Sequence, residues 1–219
     1  MAGALAIASV THILTRLLDQ RLIECGVAAS LGDVLVSALP PDRVPTGAEE
    51  RPQLNIFLYR VTPNTARRSP DESVRHEGIS TQRRLALDLH YLLTAYGERN
   101  FQAEMLLGYA LECLQQTPVL TDDTLHAALG PGAALEGGSA LPHALATLTA
   151  PDVAHLIGNI RISPFALSIE DMLKLWSALQ ARYRPSLTYQ ASAVFVGVAS
   201  PAVHPNRERE HKLTAGDAP

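Results

Sequence analysis

Cysteine is scarce in this chain of 219 residues: only Cys25 and Cys113 occur, far apart, and neither has a CxxC partner. A cysteine-built structural zinc site is therefore excluded, and both thiols, lying in apolar helical patterns, read as buried free thiols of a reducing compartment. Charge is also low, at 18% Asp, Glu, Lys and Arg with a net charge of −4. General nucleic-acid binding needs a basic excess to replace counterions, so none is expected here. No apolar run reaches the length that crosses a bilayer, so a membrane span is not expected either. The amino-terminal MAGALAIASVTHILTRLL has no Lys or Arg ahead of its apolar part, unlike a signal peptide. Ile7, Val10, Leu14, Leu17 and Leu18 instead make one stripe of an amphipathic helix.

Catalytic motifs are missing as well. Ser139 sits in GGSAL, where Leu141 replaces the second glycine of a nucleophile elbow. His76–Glu77 opens like a zincin motif, but Ser80 stands where the second histidine belongs. The glycines from Gly130 to Gly138 lack the Gly-Lys-Ser/Thr ending that cradles phosphate. No internal repeat occurs. No cofactor, metal or small-molecule substrate is expected.

What is present is a succession of strand-like and helix-like segments. After the first helix, Gly26 and Gly32 mark a break, and Asp33 to Leu39 reads as a short strand. Leu54 to Val61 reads as a strand apolar on both faces, hence central and covered on both sides. Thr62 to Gln82 reads as a long loop carrying Arg67, Arg68 and Arg75 among three carboxylates. Arg84 to Tyr96 alternates as a strand with Leu85, Leu87, Leu89, Tyr91 and Leu93 inward, although a helix would also group Leu85, Leu89 and Leu92. Asn100 to Gln116 reads as a helix burying Met105, Leu106, Tyr109, Ala110 and Cys113. Thr121 to Leu129 reads as a short helix capped by Thr121 or Asp122.

Residues 130–150 read as a mobile insertion, and Ile160 to Ser163 as a short strand. Ser168 with Asp171 caps a helix that should run to Arg184, with Met172, Trp176, Leu179 and Tyr183 on its core side. A long strand follows, about a dozen residues or about 40 Å, twice the ordinary length. Its alternation sends Leu187, Tyr189, Ala191, Ala193 and Phe195 one way, and Thr188, Gln190, Ser192, Val194 and Val196 the other. Residues 1–199 thus read as one α/β (α+β) domain whose mixed, mostly antiparallel sheet is packed by several helices. Residues 200–219 read as a polar, solvated tail.

Three groups of residues invite a functional reading. Asp88 and His90 leave the same strand face, as the acid and imidazole of a small hydrolase would, or as a polar outer face. Arg67, Arg68 and Arg75 could let an adaptor dock on an acidic partner, or form an exposed loop neutralised by its own carboxylates. Thr188, Gln190, Ser192, Val194 and Val196 could lie at a sheet edge completed by another chain.

Several blocks together resemble a known family: ALAIASVTHILTRLL at Ala4 to Leu18, LNIFLYRVTPN at Leu54 to Asn64, LALDLHYLLTAYG at Leu85 to Gly97, MLLGYALECLQQTPVL at Met105 to Leu120, and the region from Ile169 to Gln190. In this order and spacing they resemble the tail-terminator, or cap, proteins of extracellular contractile injection systems. The resemblance implies a non-enzymatic protein with no catalytic residues. It would form a six-fold ring with copies of itself, bind tube and sheath proteins, and thereby end tube growth and fix particle length. It also implies assembly in the cytoplasm, then a place in the released extracellular particle.

Overall fold

The computed structural model describes residues 2–66, 84–121, 123–125 and 160–197. Helix α1 (Ala2–Glu24) and a single turn, α2 (Ala28–Leu31), precede strand β1 (Leu35–Ser37). Strands β2 (Gln53–Pro63) and β3 (Arg84–Tyr96), helix α3 (Gln102–Gln116) and the two-residue β4 (Val119–Leu120) come next. Strand β5 (Ile160–Pro164), helix α4 (Ile169–Ala178) and strand β6 (Ser186–Gly197) complete the order. The strands form a six-stranded sheet in the order β1-β2-β3-β6-β5-β4, antiparallel at every pair except the parallel β1–β2. The fold is thus the mixed, mostly antiparallel α+β domain expected.

Helices α1 and α3 lie on one face of this sheet. From α1, Ala6, Val10, Ile13, Leu14, Leu18 and Leu22 enter the core at helical spacing, and from α3 Leu106, Ala110, Cys113 and Leu114 do. The sheet meets them with Leu54, Ile56, Leu89, Tyr91, Leu93, Tyr189, Ala191 and Val194. Three hydroxyls on α1 are accommodated by turning back to carbonyls one turn earlier: Ser9 to Leu5, Thr11 to Ile7 and Thr15 to Thr11. Thr11 also meets the Tyr91 hydroxyl at 3.0 Å, tying α1 to the central strand.

Two β-bulges change the phase of the sheet. On β2, Tyr59 is the extra residue between the pairs Leu58↔Tyr91 and Arg60↔His90. On β6, two residues, Ser192 and Ala193, oppose Asp88 alone between Leu87↔Val194 and Leu89↔Ala191. A one-residue insertion moves everything beyond it to the other face. Val194 and Val196 therefore join Leu187, Tyr189 and Ala191 on the helix-covered side, which corrects the uninterrupted alternation expected for this strand.

Other boundaries differ for local reasons. Strand β2 runs on to Pro63, and the Asn64 amide still bonds the Ala86 carbonyl at 2.9 Å, so the strand continues where a loop was expected. Helix α4 stops at Ala178, not Arg184, because Gln180 takes a left-handed conformation (φ 53°), and Tyr183 is consequently exposed. Met105 and Leu85 are exposed instead of inward, and Cys25 is exposed instead of buried, since each lies at the edge or end of its element. Strand β2 is interior but flanked by β1 only at Gln53 to Asn55. The Thr121 hydroxyl accepts from the Thr124 amide at 3.4 Å, as a helix cap would. Residues 123–125 are helical, the Leu125 amide bonding the Thr121 carbonyl at 3.0 Å. Residues 126–129 of that expected helix, the 130–150 insertion, the 200–219 tail and most of the arginine-bearing loop lie outside the described residues.

Candidate functional site

Beyond its core, the domain offers three surface features: a clasped end of the sheet, a polar patch around His90 on the face opposite α1 and α3, and strand edges that outrun their neighbours.

At the clasped end, Glu50 accepts two bonds from the Arg184 guanidinium, 2.8 Å to Oε1 and 2.7 Å to Oε2, and one from the Gly97 amide at 3.1 Å. Burial pushes the Glu50 carboxyl up, but the Arg184 pair and the Gly97 amide outweigh it, so the group titrates below its usual range. The same guanidinium lies 5.4 Å from the centre of the Tyr96 ring. One ion pair thus joins the segment before β2, the end of β3 and the start of β6. Gly97 is needed here because a Cβ would fall 2.6 Å from that of Gln102. Gln102 in turn is buried, accepting from the Arg99 amide at 2.9 Å and donating to the Leu31 carbonyl at 3.4 Å.

Between them stands Phe101, a non-glycine residue at φ 69° whose side chain is 72% exposed. An aromatic held in the left-handed region and turned to solvent is uncommon and costs on the order of 1–3 kcal/mol. Met105, one turn on, is exposed beside it in sequence, and Ile169 (76%), Leu173 and Tyr183 are exposed on and after α4. The α4 helix itself is anchored by Ser168, whose hydroxyl accepts from the Asp171 amide at 3.1 Å, and by Trp176, which is buried with Tyr183 edge-on at 6.0 Å.

His90 is buried, 5% exposed, on the face away from α1 and α3. Its Nε2 meets the Thr62 hydroxyl at 3.0 Å, its ring stands edge-on to Phe165 at 5.0 Å, and Tyr59 packs at 6.2 Å. Its Nδ1 has no hydrogen-bond partner among the described residues. Asp88 accepts from the Asn64 amide group at 2.8 Å. Desolvation, then the nearby Arg60 cation, hold the imidazole below its usual pKa, with Asp88 opposing. An acid that orients a catalytic imidazole must bond its second nitrogen. Here that bond is not made, so the Asp88–His90 pair of the sequence is side by side but not a relay.

Strand β6 pairs with β3 from Ser186 to Gly197 but with β5 only from Tyr189 to Ser192. Among the described residues, no strand flanks its outer edge beyond Ser192. Of the residues singled out on this strand, Thr188 is buried, its hydroxyl donating to the Phe165 carbonyl, and Gln190 and Ser192 are half-buried opposite Ser163 and Arg161. Val194 is 0% exposed in the core and Val196 packs beside it. Arg67, Arg68 and Arg75 lie outside the described residues. Sequence reasoning missed the Glu50–Arg184 clasp, since 134 positions separate its partners and neither sits in a motif. Phe101 has no signal of its own, because the sequence pattern places it inside a helix starting at Asn100, whereas α3 starts at Gln102 with Phe101 just ahead of it.

Among the described residues no group of three or more His, Cys, Asp or Glu could hold a metal ion, and no helix is long and apolar enough to cross a membrane.

Two solved structures are similar in fold. One is the sheath/tube terminator, in the extended state, of an extracellular contractile injection system (PVC): 18% identity, TM-score 0.45, covering 91% of this chain and 64% of that one. The other is the tube-terminating cap of the anti-feeding prophage: 12% identity, TM-score 0.47, covering 91% of this chain and 59% of that one. The chain therefore spans less than two thirds of the length of these structures. No curated protein matches the sequence. Residues 9–209 match the family model described as the Pvc16 N-terminal domain, and the chain belongs to that family.

Proposed function

We propose that this chain is a structural closing piece of a contractile, phage-tail-like injection particle. Copies of it form a six-fold ring on the end of the inner tube and sheath, stop further growth and thereby set particle length. Membership in the Pvc16 N-terminal domain family, over residues 9–209, is the observation that carries this reading. It agrees with the cap-protein resemblance of the sequence blocks from Ala4 to Gln190.

Geometry adds a physical route to such a ring. A closed ring requires two different patches on each copy, one meeting the other on its neighbour. The outer edge of β6 beyond Ser192 is one surface open to strand addition among the described residues, and the edge of β2 beyond Asn55, on the other side of the sheet, is a second. Exposed Phe101, Ile169, Leu173 and Tyr183 supply the anchors that interfaces favour. Residues from Thr188 to Val196 contribute mainly through the backbone edge, since their side chains are largely committed to the fold. The protein would assemble inside the producing cell and leave it within the particle, acting by position and not by chemistry.

Deleting the gene tests this directly. Electron micrographs should then show tubes and sheaths of uncontrolled length, and purified protein added back should decorate tube ends. Particles of normal, uniform length without the protein would overturn the reading, as would a purified protein that stays monomeric and ignores tube ends.

A further inference from the structure

The chain's only two cysteines, 88 positions apart in sequence, line one narrow crevice between α1 and α3 together with Arg21, Leu22 and Tyr109. Cys113 is buried in the last turns of α3, and its sulfur lies 3.9 Å from the Leu17 carbonyl on α1. Cys25 is exposed and closes the last turn of α1, its amide bonding the Arg21 carbonyl at 2.9 Å. Leu17, Arg21 and Cys25 therefore follow one another turn by turn down the side of α1 that borders α3, and one turn is about 5.4 Å. Gly26, at φ 63°, ends the helix immediately after Cys25, and Cys25 lies further along α1 than the Leu17 carbonyl that Cys113 meets, so pairing the thiols requires the last part of α1 to move toward Cys113.

We propose that Cys25 and Cys113 are a thiol pair that forms an intramolecular disulfide, stapling the end of α1 to α3, when the protein meets a low-molecular-weight disulfide outside a reducing compartment. The inference stands on the fold alone and does not need the capping role. In the first step the exposed Cys25 thiolate attacks one sulfur of oxidised glutathione, forming a mixed disulfide and releasing one glutathione thiolate. Cys113, after losing its proton, then attacks the Cys25 sulfur and expels the second glutathione. Two protein thiols lose two protons and two electrons, and one glutathione disulfide becomes two thiols.

The two sulfurs differ in a way that sets this order. Burial pushes the Cys113 thiol up to about 11, with Arg21 opposing, so it is the poorer attacker and the resolving partner. Arg21 itself is held by Glu24 at 2.9 Å and stays charged beside both sulfurs. The second step should therefore be slow near neutrality and speed up as pH rises.

The test uses the folded full chain with oxidised glutathione, followed by thiol counting, intact mass and non-reducing peptide mapping. The expected result is loss of both thiols, a product lighter by two hydrogens, and one peptide pair linking Cys25 to Cys113. Its melting temperature should rise by several degrees and return on reduction. Cys113→Ser should stop at a glutathione adduct on Cys25, and Cys25→Ser should leave Cys113 unreactive until denaturant is added. An adduct on Cys25 that persists in the unmutated protein at pH 8 and above, or a Cys25–Cys25 link between two copies, would overturn the proposal.

Discussion

On the α1–α3 face of the sheet, side chains interdigitate into one continuous apolar core, in which the Ser9, Thr11 and Thr15 hydroxyls are paired within their own helix or with Tyr91, while the Tyr189 hydroxyl has no hydrogen-bond partner among the described residues. On the opposite face the same strands carry Asn55, Thr94, His90, Asp88 and Thr188, with Phe165 packed against His90 and bonded to Thr188. The first face is held by area removed from water and close packing, which are non-directional and do not depend on pH. The second is held by individually directed bonds: Asn55 alone accepts from Ser37 and the Leu39 amide and donates to the Leu39 carbonyl. The difference implies that the two faces should fail differently, the first through cavities and the second through pH and lost partners.

The largest expected effect is on the first face. Leu93→Ala or Leu14→Ala, both fully buried, should cost about 2–5 kcal/mol in denaturant melts, with little dependence on pH. A loss under about 1 kcal/mol at both sites would show that this face is not the principal core.

Next comes the clasp. Glu50→Gln or Arg184→Ala should cost about 1.5–3 kcal/mol, because either leaves a desolvated charged or amide group without its partners. Glu50 titrates lower folded than unfolded, so its contribution is whole above about pH 4.3, the unfolded value, and is lost as pH falls below it. The Gln variant should therefore show a shallower acid limb than the parent. Identical acid limbs would remove Glu50 from the account.

His90 should act at milder pH. Its folded pKa lies below the unfolded value of about 6.5, so the unfolded chain takes up the proton first and stability falls as pH drops below about 6.5. Melts at pH 7.5 and 5.5 should differ, and His90→Phe should reduce that difference even if it lowers stability at both. An undiminished difference would place the titration elsewhere; among the described residues His12 is also held low, by burial and by Arg16.

Smaller still, Ser168→Ala should cost about 1 kcal/mol by uncapping α4, measurable as faster amide exchange in that helix. Lys174→Ala, which breaks an exposed pair with Glu170 at 2.6 Å, should change stability by no more than about 0.5 kcal/mol.

Much of this was legible in the residues. The α1 stripe, the leucine alternation of β3, the Ser168 cap and the length of β6 each follow from a period or a capping chemistry that acts within a few residues. The parity of β6 after Ser192 was not, because a bulge is decided by the strand opposite, where Asp88 takes two partners. Nor was the early end of α4: Pro185 sets an outer limit on the helix, while the turn at Gln180 is what returns the chain to the Glu50 clasp.

By itself, then, the sequence determined local periodicity, the mixed α+β class and the family resemblance, since each is written in short-range spacing and residue type. Only the tertiary structure decided which strand edges outrun their neighbours, that Asp88 and His90 form no relay, and that two distant cysteines share a crevice. Those outcomes depend on contacts between segments tens to more than a hundred residues apart, and packing, not pattern, determines where such segments meet.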